Sequence, residues 1–186
     1  VPSLRLISVD ARAVPQGSRP AAVGEAIAAA AADIAVVHGA PHLLRWRSRC
    51  GEIARHAGMV VVGGGRVAGR NLVLSTLGVD FVEVEDVQLG SNPLAATGFS
   101  LARLARGGRP FALVGASLSS AADAVALKTK LPLDVPVIAS VRPGFALLDV
   151  LDNRHDDRIA APFSVAVTPV DGAPVGAAIA DLVLPD

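Results

Sequence analysis

The chain predicts an α/β fold in which two mixed β-sheets pack face to face as a sandwich flanked by helices. Three observations carry this. Short apolar segments rich in β-branched residues outnumber the helical stretches. The two clearest helical patterns come early and fall between strands. The 186 residues, 52% hydrophobic and 18% charged, suit one domain over 1–186 with its own core. Pattern alone is also compatible with other α/β layouts.

Leu4–Val9 is the first apolar segment and reads as a core strand. Pro15, Gly17 and Pro20 then mark a loop. Ala21–Ala32 is alanine-rich, with Glu25 early, and favours helix. Asp33 ends that pattern, and Ile34–Val37 reads as a buried strand. Pro41 is suited to a helix start, because its missing N–H costs nothing there. Leu43, Trp46, Cys50, Ile53, Ala54 and Ala57 follow at helical spacing, and Gly58 supplies the stop. Met59–Val62 and Asn71–Ser75 read as strands around a Gly63–Gly65 turn.

Val79–Leu89 interleaves Val82, Val84 and Val87 with Glu83, Glu85 and Asp86, as a half-exposed strand with a bulge would. Phe99–Arg106 and Arg109–Gly115 flank Gly107-Gly108, a hairpin signal, since both central turn residues can take positive φ. Leu118–Lys130 reads as helix, Val135–Ala139 as strand, Phe145–Leu151 as a short helix and Ile179–Leu184 as the last strand. Pro162–Pro174 is punctuated by prolines.

The 17 basic and 17 acidic residues cancel, so no global basic field drives non-specific nucleic-acid binding. Fifteen of the cations are arginine, tyrosine is absent and alanine abounds, which reflects a GC-rich coding sequence before it reflects function. Cys50 is the only cysteine, so no intrachain disulfide forms, and it reads as a small core residue. The longest apolar run, Ala26–Val37, is broken by Asp33 and too short to span a bilayer. No signal or transit segment is visible, so a soluble domain is expected, with its address left open and the cytoplasm favoured. The chain starts at Val1 without an initiator Met, so an upstream piece is also expected.

Six segments in order, LRLISVD, DIAVVHGA, NLVLS, ALVGASLS, VPVIASVRP and AIADLVLP, resemble the endonuclease/exonuclease/phosphatase family from Leu4 to Pro185. The most persuasive stretch runs through DIAVVHGAPHLLRWRSRCGEIARHAGMVVVGG. The resemblance implies that family's four-layer fold. It also implies strand ends that carry an Asn, a metal-binding Glu, a His, an Asp-x-Asn pair and a terminal Asp-His. In active members these hold a cation such as Mg²⁺ and orient water for attack on phosphate. The matching positions here read Asp10, Gly39, Ser117, Val141 with Pro143, and Ala180 with Asp181. His38-Gly39 stands for Gln-Glu, and Gly39 offers no ligand. Val141 and Pro143 cannot take a proton from water.

The expectation is therefore a catalytically inactive domain of that fold, holding no cofactor and acting as a binding or structural module, with a protein partner favoured. One rival is a divergent metal-dependent phosphoesterase that keeps Mg²⁺ through Asp10, Asp181 and either His38 or His155. Another is a nucleic-acid or phosphorylated-ligand binder that does not cleave. Arg45, Arg47 and Arg49 are the candidate partner-binding residues, with Arg45 and Arg49 expected on one helical face beside Glu52 and His56. The plainer reading of that face is solvated and laced by Arg49 and Glu52. His38 reads as a surface or hydrogen-bonded loop histidine, and Trp46 as a core anchor rather than a base-stacking platform. Gly63-Gly64-Gly65 with Arg66 and Arg70 could cradle an anion but reads first as a flexible turn. His155-Asp156-Asp157 contains ligand-type residues that read as solvated. His38 with His42 and the Ser117, Ser119 and Ser120 group lack the spacing of a metal site or a nucleophile elbow.

Overall fold

The computed structural model describes residues 3–15, 17–90, 96–142, 159–160, 165–169 and 177–184. Its strands form two mixed sheets. The first has β1 (Ser3–Asp10), β2 (Ile34–His38), β3 (Val60–Gly65), β4 (Asn71–Ser75), β10 (Val165–Pro169) and β11 (Ala177–Val183), in the order β10-β11-β1-β2-β4-β3. The second has β5 (Asp80–Gln88), β6 (Gly98–Arg106), β7 (Arg109–Ser117), β8 (Val137–Val141) and β9 (Ile159–Ala160), in that order. β1 runs parallel to β2 and β7 parallel to β8, while the other pairs are antiparallel. Each parallel step needs a crossover, supplied by helix α1 (Arg19–Ala29) in the first sheet and α3 (Ala121–Lys128) in the second. Helix α2 (Trp46–Ala57) lies between β2 and β3.

Side-chain alternation sorts the apolar residues into three layers. Ile7, Val9, Ala35, Val37, Leu72 and Leu74 face α1 and α2 with Val23, Ile27 and Ile53. Leu4, Leu6, Ile34, Val36, Val73, Phe111, Leu113 and Ile138 meet between the sheets. Phe99, Val114, Ala139 and Val141 pack outward toward Ala124 and Leu127 of α3. The result is the expected helix–sheet–sheet–helix sandwich.

Several local expectations hold. The β6–β7 turn has φ of 58° at Gly107 and 79° at Gly108, closing a hairpin in which Arg106 pairs with Arg109. β5 carries its bulge between Phe81 and Glu83. Gly58 ends α2 at φ 66°, its N–H meeting the Ala54 and Arg55 carbonyls. Ser120 starts α3 with a reciprocal capping box to Asp123, so that helix begins three residues later than its sequence pattern suggests.

Two expectations fail. α2 begins at Trp46 rather than at Pro41, because Arg45 sits at φ 60° in the left-handed region and interrupts the chain there. Leu43, the first residue of the helical spacing, precedes the helix and is 59% exposed. The glycine run is strand rather than turn, and the β3–β4 turn falls at residues 66–70. Gly65, at φ 90°, lies where an added Cβ would come 2.3 Å from the Trp46 ring, so this glycine lets β3 approach α2 closely. The expected Phe145–Leu151 helix, Pro143 and His155-Asp156-Asp157 lie outside the described residues.

Candidate functional site

Polar residues collect at one end of the layer between the sheets. On β1, Ser8 and Asp10 continue the face of Leu4 and Leu6; on β2, His38 continues Ile34 and Val36. Asn71 precedes Val73 on that face of β4, Ser117 follows Phe111 and Leu113 on β7, and Ser140 follows Ile138 on β8. Register brings Asp10 level with His38, and His38 level with Asn71. Five strand ends thus deliver their polar side chains to one place.

His38 is the hub and is fully buried. Its Nδ1 is 2.7 Å from Asn71 Oδ1 and its Nε2 is 2.9 Å from Ser140 Oγ. The Asn71 amide nitrogen donates to the carbonyls of Ala68 (2.6 Å) and Gly98 (3.1 Å), which fixes Oδ1 as the acceptor facing His38. That oxygen also accepts from Ser117 Oγ at 3.0 Å. His38 therefore carries its proton on Nδ1, and the Ser140 hydroxyl donates to the bare Nε2. Ser8 Oγ lies 2.9 Å from Ser140 Oγ and extends the chain. Burial pushes the imidazole down to about 4 against an ordinary 6.5, although the bond to Asn71 and the charge of Asp10 oppose the shift. His38 is thus an interior group rather than a surface or loop histidine, neutral near pH 7.

Asp10 stands level with His38 and bears on its charge without a hydrogen bond to it. Its Oδ1 accepts from the Arg12 backbone N–H at 3.0 Å and from Nε at 2.8 Å, while Oδ2 takes the Nη2 end of the same guanidinium. Burial alone would raise this carboxyl, but the Arg12 hydrogen bonds and charge outweigh it and hold the group below its usual range. Arg12 also fills the space beside Gly39. A Cβ on Gly39, at φ 70°, would meet Arg12 Cγ at 2.4 Å. Arg142, at the end of the β8 face, feels the charges of Arg12, Asp10 and Arg70. Among the described residues, no three His, Cys, Asp or Glu side chains converge to hold a metal ion.

The other matched positions lie elsewhere. Val141 packs toward α3, and its neighbour Ser140 is the residue that faces the site, since adjacent strand residues point to opposite faces. Ala180 is buried in mid-sheet opposite Leu6. Asp181 pairs with Arg5, Oδ1 to Nε at 2.7 Å, and both are surface groups. Arg5 precedes Asp10 by five strand residues, roughly 17 Å. Asp10, His38 and Asp181 therefore do not share a site. Sequence reading missed Asn71, Ser140 and Ser8. Their signal was a polar residue in phase with buried apolar ones in NLVLS, VIASV and LRLISVD.

The three candidate partner-binding arginines also separate. Arg45 precedes α2 instead of sharing its face with Arg49. Arg47 stacks on Trp46, with its guanidinium carbon 4.6 Å from the ring centroid. Arg49 makes no ion pair with Glu52, and it faces a cavity beside α1. In the β3 glycine run, the Gly64 N–H is already donated to Asp86 Oδ2 at 3.0 Å. Cys50 is buried and its thiol is pushed up to about 11 by burial, as suits a core residue. No described helix is long and apolar enough to cross a membrane.

No family profile and no curated protein matches the sequence. Solved structures do match it by shape. An endonuclease/exonuclease/phosphatase protein from Bacteroides vulgatus has a TM-score of 0.70 at 14% identity, covering 100% of both chains. One from Bacteroides thetaiotaomicron gives 0.70 at 13%, over 99% of this chain and 98% of the other. Sphingomyelinase C from Streptomyces griseocarneus gives 0.62 at 16%, over 97% and 99%. The fold is that of the endonuclease/exonuclease/phosphatase proteins, and at these identities the likeness speaks to fold alone.

Proposed function

We propose that this chain is a non-hydrolytic module of the endonuclease/exonuclease/phosphatase fold that works by binding rather than by catalysis. One observation carries the reading: the acid and the imidazole at the sheet end are each committed to neighbours. Asp10 spends both oxygens on Arg12, and His38 spends both nitrogens on Asn71 and Ser140. A hard cation needs several oxygen ligands, and a general base needs an accessible lone pair near water. The lack of any three converging His, Cys, Asp or Glu side chains among the described residues supports a site without a resident divalent cation.

A protein surface is the partner class this reading favours. Val60, Val61, Leu77 and Phe81 line one shallow depression where β3 and β5 form the outer strands of their sheets, and all four are exposed. Exposed apolar clusters of this kind mark contact surfaces.

The test is calorimetric titration with Mg²⁺, Mn²⁺ and Zn²⁺, followed by assays on phosphodiester and phosphomonoester substrates. The expected result is no saturable cation binding below about 100 µM, the weaker end of divalent-ion sites, and no turnover. Tight binding with turnover that disappears in Asp10→Ala would overturn the reading.

A further inference from the structure

The cavity that Arg49 faces lies outside the buried network and shares no lining residue with it. It has a volume of about 190 Å³ and sits between the start of α1 and the loop from β2 into α2. Three basic side chains line it from three segments: Arg19 from α1, His42 from the loop and Arg49 from α2. Pro20, Leu43 and Leu44 supply apolar wall, and none of the described lining residues is Asp or Glu. Leu44 is 88% exposed and Leu43 59%, apolar surface held open at the rim.

The charges are arranged rather than scattered. Arg19 is fixed by two hydrogen bonds from Nε (2.9 Å) and Nη2 (2.7 Å) to the Val14 carbonyl, so its position does not depend on a ligand. His42 is depressed first by burial and then by the positive charge of Arg70, with Arg19 and Arg66 adding to the shift and a backbone hydrogen bond at Ala40 opposing it. Arg19 and Arg49 bring like charges to one cavity, where they repel one another, and an anion relieves that repulsion. Guanidinium forks suit the several oxygens of a phosphate better than a single point acceptor. The apolar wall has room for a small ring, since a cavity of about 150 Å³ holds benzene.

We infer that this cavity is a binding site for a phosphomonoester carrying a small apolar group, with the phosphate toward Arg19, His42 and Arg49 and the apolar part against Leu43 and Leu44. The site is independent of whether the sheet end hydrolyses anything. Phenyl phosphate is the probe, with inorganic phosphate and benzoate as comparisons, read by calorimetry and by amide chemical shifts. Phenyl phosphate is expected to bind with a Kd on the order of 0.1–1 mM, as suits so small a ligand. Inorganic phosphate and benzoate should each bind about tenfold more weakly. Arg49→Gln, at an exposed helix position, should weaken both phosphates by about tenfold. Leu44→Ser should weaken phenyl phosphate several-fold and leave inorganic phosphate unchanged.

Absence of saturable binding at 10-fold above that range (roughly 10 mM), binding indifferent to Arg49→Gln, or benzoate binding equal to phenyl phosphate would overturn the assignment. Circular dichroism of each variant checks that the fold is intact. Release of phenol would sink the non-hydrolytic reading without touching this one, and failure to bind would sink this one without touching that.

Discussion

The burial of His38 has a consequence for stability that can be worked through. In the unfolded chain its imidazole titrates near 6.5, whereas in the fold it is pushed down to about 4. Above pH 6.5 both states hold it neutral and it adds no pH dependence. As pH falls from 6.5 toward 4 the unfolded state binds the proton and the folded state does not, so stability is lost with falling pH. Below 4 the folded state protonates too and the loss levels off. Linkage gives a fall of about 2 kcal/mol between pH 7.5 and 5, and on the order of 3 kcal/mol once complete. Urea denaturation at half-unit steps from pH 4.5 to 7.5 measures it, and because burial also holds His42 below its ordinary value, the wild type is compared with His38→Gln. The difference between the two slopes should approach one proton near pH 5. Nitrogen-15 spectra of the imidazole give a second reading, independent of how stable the variant is, with a midpoint near 4. Parallel slopes together with an imidazole midpoint near 6.5 would refute the buried, neutral assignment.

Two further outcomes follow from the packing. Asn71→Ala removes the donor to two buried carbonyls and the acceptor for His38 and Ser117, so urea unfolding should show a loss of at least about 3 kcal/mol; a change within about 0.5 kcal/mol would contradict the network. Gly65→Ala sets a methyl against the Trp46 ring at a left-handed φ and should cost about 2–4 kcal/mol, with an altered Trp46 emission spectrum; unchanged emission would argue against that contact.

What sequence made legible was local chemistry. Gly107-Gly108 dictated its hairpin because few other residue pairs take two positive φ values in a row, and Gly58 dictated the end of α2 for the same reason. The interleaved acids and valines of β5 foretold both its exposed face and its bulge. Long-range placement was less legible. Pro41 is compatible with a helix start but does not impose one, and Arg45 settles the matter through a conformation that arginine rarely adopts. The site suffered from the two-residue period of strands. Val141 and Ser140 are adjacent in sequence yet face opposite layers, so a position match one residue off selects the wrong side chain. Asn71 resembled an ordinary polar strand edge, and only its pairing with β2 shows that it stands beside His38.

The Arg12 side chain lying over Gly39 restricts how this sheet end could change. A carboxylate introduced at position 39 would need to displace that guanidinium and also relax a backbone set at φ 70°. Displacing Arg12 in turn strips Asp10 of its counter-ion in a half-buried setting. Each single substitution toward a cation site is therefore unfavourable unless the other comes first. Evolution or engineering in that direction faces a coupled pair of changes at 12 and 39, in which neither intermediate is expected to be well tolerated.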